Sequence, residues 1–171
     1  MTFSAWLAAH YEEKGPVAWL AFFLELIAAL TLFFLMMLTC ADVFGRYFLG
    51  NAVDGATELT EMGIAILVFA EMPVITWRGG QVVVDILDRW MSNTVLKVLG
   101  LISAFLISTS LYFLAERILY LADRSFRREE VTEYLQWPVG YIIEYVAIMS
   151  WVTAGAMITY GVYRQLVLSK D

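Results

Sequence analysis

Apolar residues fall along this chain in four long blocks, at about 17–39, 59–77, 95–115 and 138–160. Each is near the ~20 residues that a helix needs to cross a bilayer. Open strands cannot satisfy their backbone groups in lipid, so the blocks predict four transmembrane helices. Pro16, after Gly15, and Pro138, after Trp137, mark two of the starts. Proline suits a first helical turn, where its missing N–H would have no partner anyway. Trp19, Trp77, Trp137, Tyr141 and Tyr160 lie near the predicted ends, where amphipathic rings favour the headgroup region.

The segments between the blocks carry their own pattern. Phe3, Trp6, Leu7 and Tyr11 recur at helical spacing within 1–14, which suits an interfacial helix. In 82–93, Val84, Leu87 and Met91 form one stripe, and Asp85, Asp88 and Arg89 lie towards another side. Over 116–135, the apolar positions Ile118, Leu121 and Ala122 give way to a strongly charged run. We expect a helix there that leaves the third span and bends onto the surface. The expected architecture is a single all-α integral membrane domain, with four transmembrane helices and additional interfacial amphipathic helices.

Composition agrees. Of 171 residues, 61% are hydrophobic and 16% charged, and mean hydropathy is +0.71, against about 25% charged residues in ordinary soluble domains. The net charge of −6, with no Lys/Arg-rich tract, argues against nucleic-acid binding. A lone Cys40 permits no intrachain disulfide. The N-terminal stretch does not read as a signal peptide, because Glu12 and Glu13 interrupt it and its basic residue comes late. Four crossings put both termini on one side. Six basic residues fall there and five on the other side, so the positive-inside rule leans only slightly towards cytoplasmic termini.

Carboxylates inside the apolar blocks raise the question of chemistry. Glu25 lies in the first span, Glu61 and Glu71 in the second and Glu144 in the fourth. A charge at the bilayer centre costs roughly 2.5–3.5 kcal/mol on insertion scales. Glu71 is the deepest and precedes Pro73, whose missing N–H disturbs the helix. A proton or ion relay is one reading; a neutral or paired carboxyl joining helices is the simpler one. Glu58 and Glu61 share a face at the start of the second helix, where they favour its N-terminus. Arg46 could reach Glu58 if the first connector folds back. His10, the single histidine, lies outside every span, and no His/Cys cluster or phosphate loop is visible. Paired-histidine haem, structural metal and P-loop chemistry are therefore excluded. Ser103, Ser108, Thr109 and Ser110 read as interhelical hydrogen-bonding groups.

Two stretches, "DVFGRYFLGNAVDGATELTEMGI" from Asp42 and "WRGGQVVVDIL" from Trp77, flank the second span. Together they resemble the small permease subunit of tripartite ATP-independent periplasmic (TRAP) transporters, the DctQ-like family. Asp42, Val43, Arg46 and Tyr47 match its Asn/Asp-Val-x-x-Arg-Tyr pattern at the end of the first span. Of its Trp-x-Glu-Glu pattern, Glu58 is kept, with Gly55 and Thr57 in the positions of the Trp and the first Glu. Arg78, Gly79 or Gly80, Val83 and Asp85 follow its next motif, with Gln81 where the family has His. The resemblance implies a non-enzymatic membrane scaffold in the bacterial inner membrane. Its implied partners are a large permease, which holds the sodium sites and the substrate path, a periplasmic binding protein and membrane lipids; no cofactor is implied for this chain. The implied cargo is an organic acid or similar solute. Asp42, Arg46, Tyr47, Glu58, Glu61, Glu71, Arg78 and Asp85 become candidates for structural or subunit contacts. The competing expectation is a homodimeric proton-coupled exporter working through Glu25 and Glu71. A membrane enzyme is disfavoured, since no nucleophile–base pair is visible.

Overall fold

The computed structural model describes residues 16–79 and 93–168. Among them the regular structure is helical: α1 (Pro16–Phe44), a π-helical turn (Gly45–Leu49), α2 (Ala56–Arg78), α3 (Asn93–Arg127) and α4 (Gly140–Leu168). Four helical segments are long and apolar enough to cross a bilayer. The expected helix over 1–14, nearly all of the segment over 82–93, Asp85 and His10 lie outside the described residues. The chain divides into two compact units, Met1–Glu71 and Met72–Asp171.

In the first unit, α1 is apolar on every side, so polarity does not tell its faces apart. Burial does. Ala21, Leu24, Ala28, Leu35, Leu38 and Gly45 are buried, and Thr31 and Asp42 half-buried. These eight positions advance by alternating steps of three and four, the narrow seam of a helix packed at 3.5 residues per turn. Phe23, Leu30, Phe33, Phe34 and Met37 point away from it and are exposed. Glu25 flanks the seam and is half-buried. Gly63 of α2 meets this seam: a Cβ there would lie 2.6 Å from Leu35 Cδ2, so a larger residue would require the Leu35 side chain to shift.

In the second unit, α3 and α4 pair antiparallel through small residues. On α3, Ala104, Ser108, Ala115, Ala122 and Ser125 are buried. On α4, Gly140, Ala147 and Ala154 are buried, and Gly161 follows seven residues on. The Ser108 hydroxyl donates to the Ala154 carbonyl oxygen at 3.0 Å. A Cβ on Gly161 would sit 3.1 Å from that of Ala104, and one on Gly140 would meet the Phe126 ring at 2.7 Å. Small side chains let backbones approach where lipid supplies no hydrophobic drive for association. Ser150 and Thr153, fully buried, return their hydroxyls to carbonyl oxygens one turn back. The Trp151 indole, beside Tyr112 at 6.4 Å between centroids, carries the one buried side-chain nitrogen or oxygen without a partner among the described residues.

The third helix differs from expectation. It does not leave the span near 115 to bend onto the surface; helix continues to Arg127. Glu116 and Arg117 are exposed, and an ion pair of Arg127 with Asp123, one turn apart, supports the final turn. Residues 128–139 then form a tight turn instead of a surface helix. Val131 and Pro138 pair as an isolated antiparallel bridge. Thr132 N–H donates to the Trp137 carbonyl at 2.9 Å, and Val139 N–H to the Glu130 carbonyl at 3.1 Å.

Candidate functional site

The residues that carry the motif at the end of the first span are still helical. α1 passes through Asp42 without a break and widens into the π-helical turn over Gly45–Leu49. Such turns insert one extra residue and occur often at functional sites. Gly50 closes it in the left-handed region, φ 71°, with its N–H on the Gly45 carbonyl. Asn51 N–H donates to the same oxygen at 3.2 Å. The chain therefore doubles back closely over Gly45, where a Cβ would stand 2.7 Å from the Asn51 carbonyl oxygen.

Asp42 holds this turn from inside. Its Oδ2 accepts from Arg46 Nη2 at 2.8 Å. Its Oδ1 accepts from the Val53 backbone N–H at 2.9 Å, eleven residues away in sequence. One carboxylate thus ties the helix end to the exit of the connector. Arg46 does not pair with Glu58 as expected: its guanidinium goes to Asp42, the partner that helical spacing places beneath it. Beyond Val53, Ala56 N–H donates to the Val53 carbonyl and Leu59 N–H to the Gly55 carbonyl. Gly55 turns with φ 76°, and α2 starts with Glu58 in its first turn, where a carboxylate favours the helix dipole.

The other candidates lie apart from this clamp. Tyr47 is 82% exposed and takes no part in it; Phe48 beside it stacks on Phe44 at 4.2 Å. Glu61 is exposed, Glu58 half-buried. Glu71 is half-buried next to buried Ala70 and Pro73. Glu144 is half-buried in the second turn of α4. Arg78 closes α2 and is exposed. Gly79 follows it in the left-handed region, φ 65°, with the Tyr160 hydroxyl filling the place a Cβ would take. That packing gives the Arg-Gly pair its physical reason: the helix needs a residue that tolerates positive φ and leaves room for a ring. The sequence did not reveal Val53, Gly45 or Gly50 as parts of the clamp, nor the glycine–tyrosine contact. Among the described residues no group of three or more His, Cys, Asp or Glu could hold a metal ion. The arrangement can fix backbone geometry; it offers no reacting group.

Comparison with protein families decides the wider reading. The model for tripartite ATP-independent periplasmic transporters, DctQ component, matches residues 35–168. The chain belongs to this family. The match begins within the α1 seam and takes in the Asp42 clamp, all of α2 and α3, and α4. Neither the curated proteins nor the solved structures give a significant match. With four helices of spanning length and DctQ membership, the chain is a multi-pass membrane protein and a small membrane subunit of a TRAP transporter. The family is one of transporter components, not of enzymes.

Proposed function

We propose that this subunit is the stationary brace of its transporter. It would grip a large permease in the bacterial inner membrane while that permease carries out sodium-driven uptake of an organic acid or similar solute. A periplasmic binding protein delivers the solute, the sodium sites belong to the large permease, and both termini of this chain face the cytoplasm. No cofactor is needed on this subunit. One observation carries the reading: between 17% and 28% of each spanning window is buried within the chain. On the first and third spans most residues are exposed, surface left for lipid and for a neighbouring subunit. A brace also needs fixed connectors, and the Asp42–Arg46–Val53 clamp supplies one. In this reading Tyr47, Glu58, Glu61, Arg78 and Asp85 meet the partner or the headgroups, and Glu71 joins helices instead of relaying protons.

Reconstitution tests the proposal. The chain alone in vesicles is expected to be inert. Together with the large permease and the binding protein it is expected to support sodium-dependent uptake, and its omission to abolish that uptake. Solute export by the chain alone would instead favour an exporter working through Glu25 and Glu71. Equal uptake without the chain would end the brace reading.

A further inference from the structure

One face of α3 changes character within a single helical turn. Leu106, Ser110, Phe113, Arg117, Tyr120 and Arg124 advance by alternating steps of four and three, which keeps them on one side of the helix. All six are exposed. The buried Ala115 and Ala122 lie on the opposite side. Before the change the face is apolar, with Leu106 59% and Phe113 63% exposed, as suits acyl chains. After it, two arginines flank a tyrosine.

The change falls where the charge-free stretch over 98–115 ends. That stretch is about 27 Å long at 1.5 Å per residue, close to a hydrocarbon core of ~30 Å. Arg117 and Tyr120 start about 3 and 8 Å past its last residue, at the depth of a headgroup layer about 5–8 Å thick. Arg124 starts about 14 Å out. Cα–Cβ bonds tilt towards a helix N-terminus, so its long stem leans back towards the membrane.

The four arginines of this extension are not equivalent. Arg127 pairs with Asp123, and Arg128 with Glu130 at 3.7 Å. Arg117 lies over the Tyr120 ring, 5.7 Å from its centroid, a cation–π arrangement. Neither Arg117 nor Arg124 has an ion-pair partner among the described residues. The two uncompensated cations thus share one face, two turns apart, with a ring between them. Glu116 and Asp123 lie about a quarter-turn round the helix, and Asp123 is taken by Arg127.

We infer that this face binds an anionic glycerophospholipid. Its phosphodiester sits between Arg117 and Arg124 beside Tyr120, and its acyl chains run along Phe113 and Leu106. A guanidinium matches phosphate with two parallel hydrogen bonds. A headgroup that also carries an ammonium would meet these arginines with like charge, so the face selects a headgroup without one. A protein neighbour would have to bring acidic groups and an apolar strip to the same boundary; a phospholipid carries both at that spacing. The inference needs only that α3 spans the membrane, and it stands apart from the brace reading.

Contact quenching tests it. The full chain with Cys40→Ser and Leu114→Cys carries a bimane beside the stripe, in nanodiscs of phosphatidylcholine. The probe is phosphatidylglycerol with a nitroxide high on its acyl chain, compared with phosphatidylcholine labelled in the same way. Half-maximal quenching should need about fivefold less of the anionic lipid, the worth of one basic residue at a membrane surface. Arg117→Gln with Arg124→Gln should bring the two lipids to parity and leave quenching by labelled phosphatidylcholine unchanged. Arg127→Gln should keep the preference, as should Tyr120→Phe. Parity in the unaltered chain overturns the inference, as does a preference that survives the double change. Equal loss in Arg127→Gln would assign the effect to net charge and also overturn it. Glycerol 3-phosphate should not displace the lipid; displacement would give the site to a soluble anion. With the large permease in the same nanodiscs the preference should persist. Its loss there would give the face to that protein and overturn the inference.

Discussion

The end of α1 and the α3–α4 pair solve one problem, holding helical segments in place in lipid, with opposite means. At the end of α1 the restraint is polar and local: one carboxylate, one guanidinium and one backbone N–H, closed over two glycines. Along α3–α4 it is apolar and distributed: a seam of Ala, Ser and Gly with an interhelical hydrogen bond from Ser108. The polar clamp sits where the helix ends and backbone groups come free. The small-residue seam runs through the interior of the pair, where backbone groups are already satisfied within each helix and only close contact can add attraction. A clamp of few parts should fail stepwise as each is removed; a packed seam should fail at once when one position is overfilled.

The sharpest break is Ala147→Leu. Ala147 is fully buried, and overfilling a close-packed site costs about 1–3 kcal/mol. Reversible unfolding in mixed micelles should show the loss, with Phe33→Leu on the exposed face of α1 nearly silent. Gly45→Ala comes next, at about 1–2 kcal/mol, because the added methyl meets the Asn51 carbonyl and not a yielding side chain; its effect should appear in the same unfolding curve. Asp42→Ala and Arg46→Ala separate the two halves of the clamp. The first should speed exchange of the Val53 amide on the order of tenfold, and the second much less, since the Asp42–Val53 bond remains. Equal effects would mean that the guanidinium, not the backbone bond, holds the turn. Ser108→Ala should cost about 0.6 kcal/mol, the usual worth of a hydrogen bond between membrane helices. Trp151→Phe should be neutral or slightly stabilising, because it deletes a buried donor that has no acceptor.

The four helices were legible in the sequence because long apolar blocks have few other solutions in lipid. What lay at their edges was harder to read. Ending the first helix near 39 hid the plain helical spacing between Asp42 and Arg46, and so directed Arg46 towards Glu58. Glu116 and Arg117 looked like the end of a span, but charge alone does not stop a helix, and α3 runs on with its Asp123–Arg127 pair. The small residues at 140, 147, 154 and 161 stood in view with a period of seven. Polarity does not mark these faces, because in helices apolar all round it is size that distinguishes them. Ser108 did prove to be an interhelical group, whereas Ser103 and Ser110 are exposed. The glycine at 55, where the family pattern has Trp, turns with positive φ, which a large side chain adopts only under strain. Asp85 stays outside the described residues.

The seven-residue rhythm of α4 restricts how its partner can move. Sliding one helix along the other by a residue or two would drive Leu or Phe into places sized for Ala and Gly. Small meets small again only after a whole heptad, about 10.5 Å along the axis. Gradual slippage is thus barred, and the pair behaves as a ratchet with widely spaced teeth: whatever glides during transport, these two helices travel or stand together.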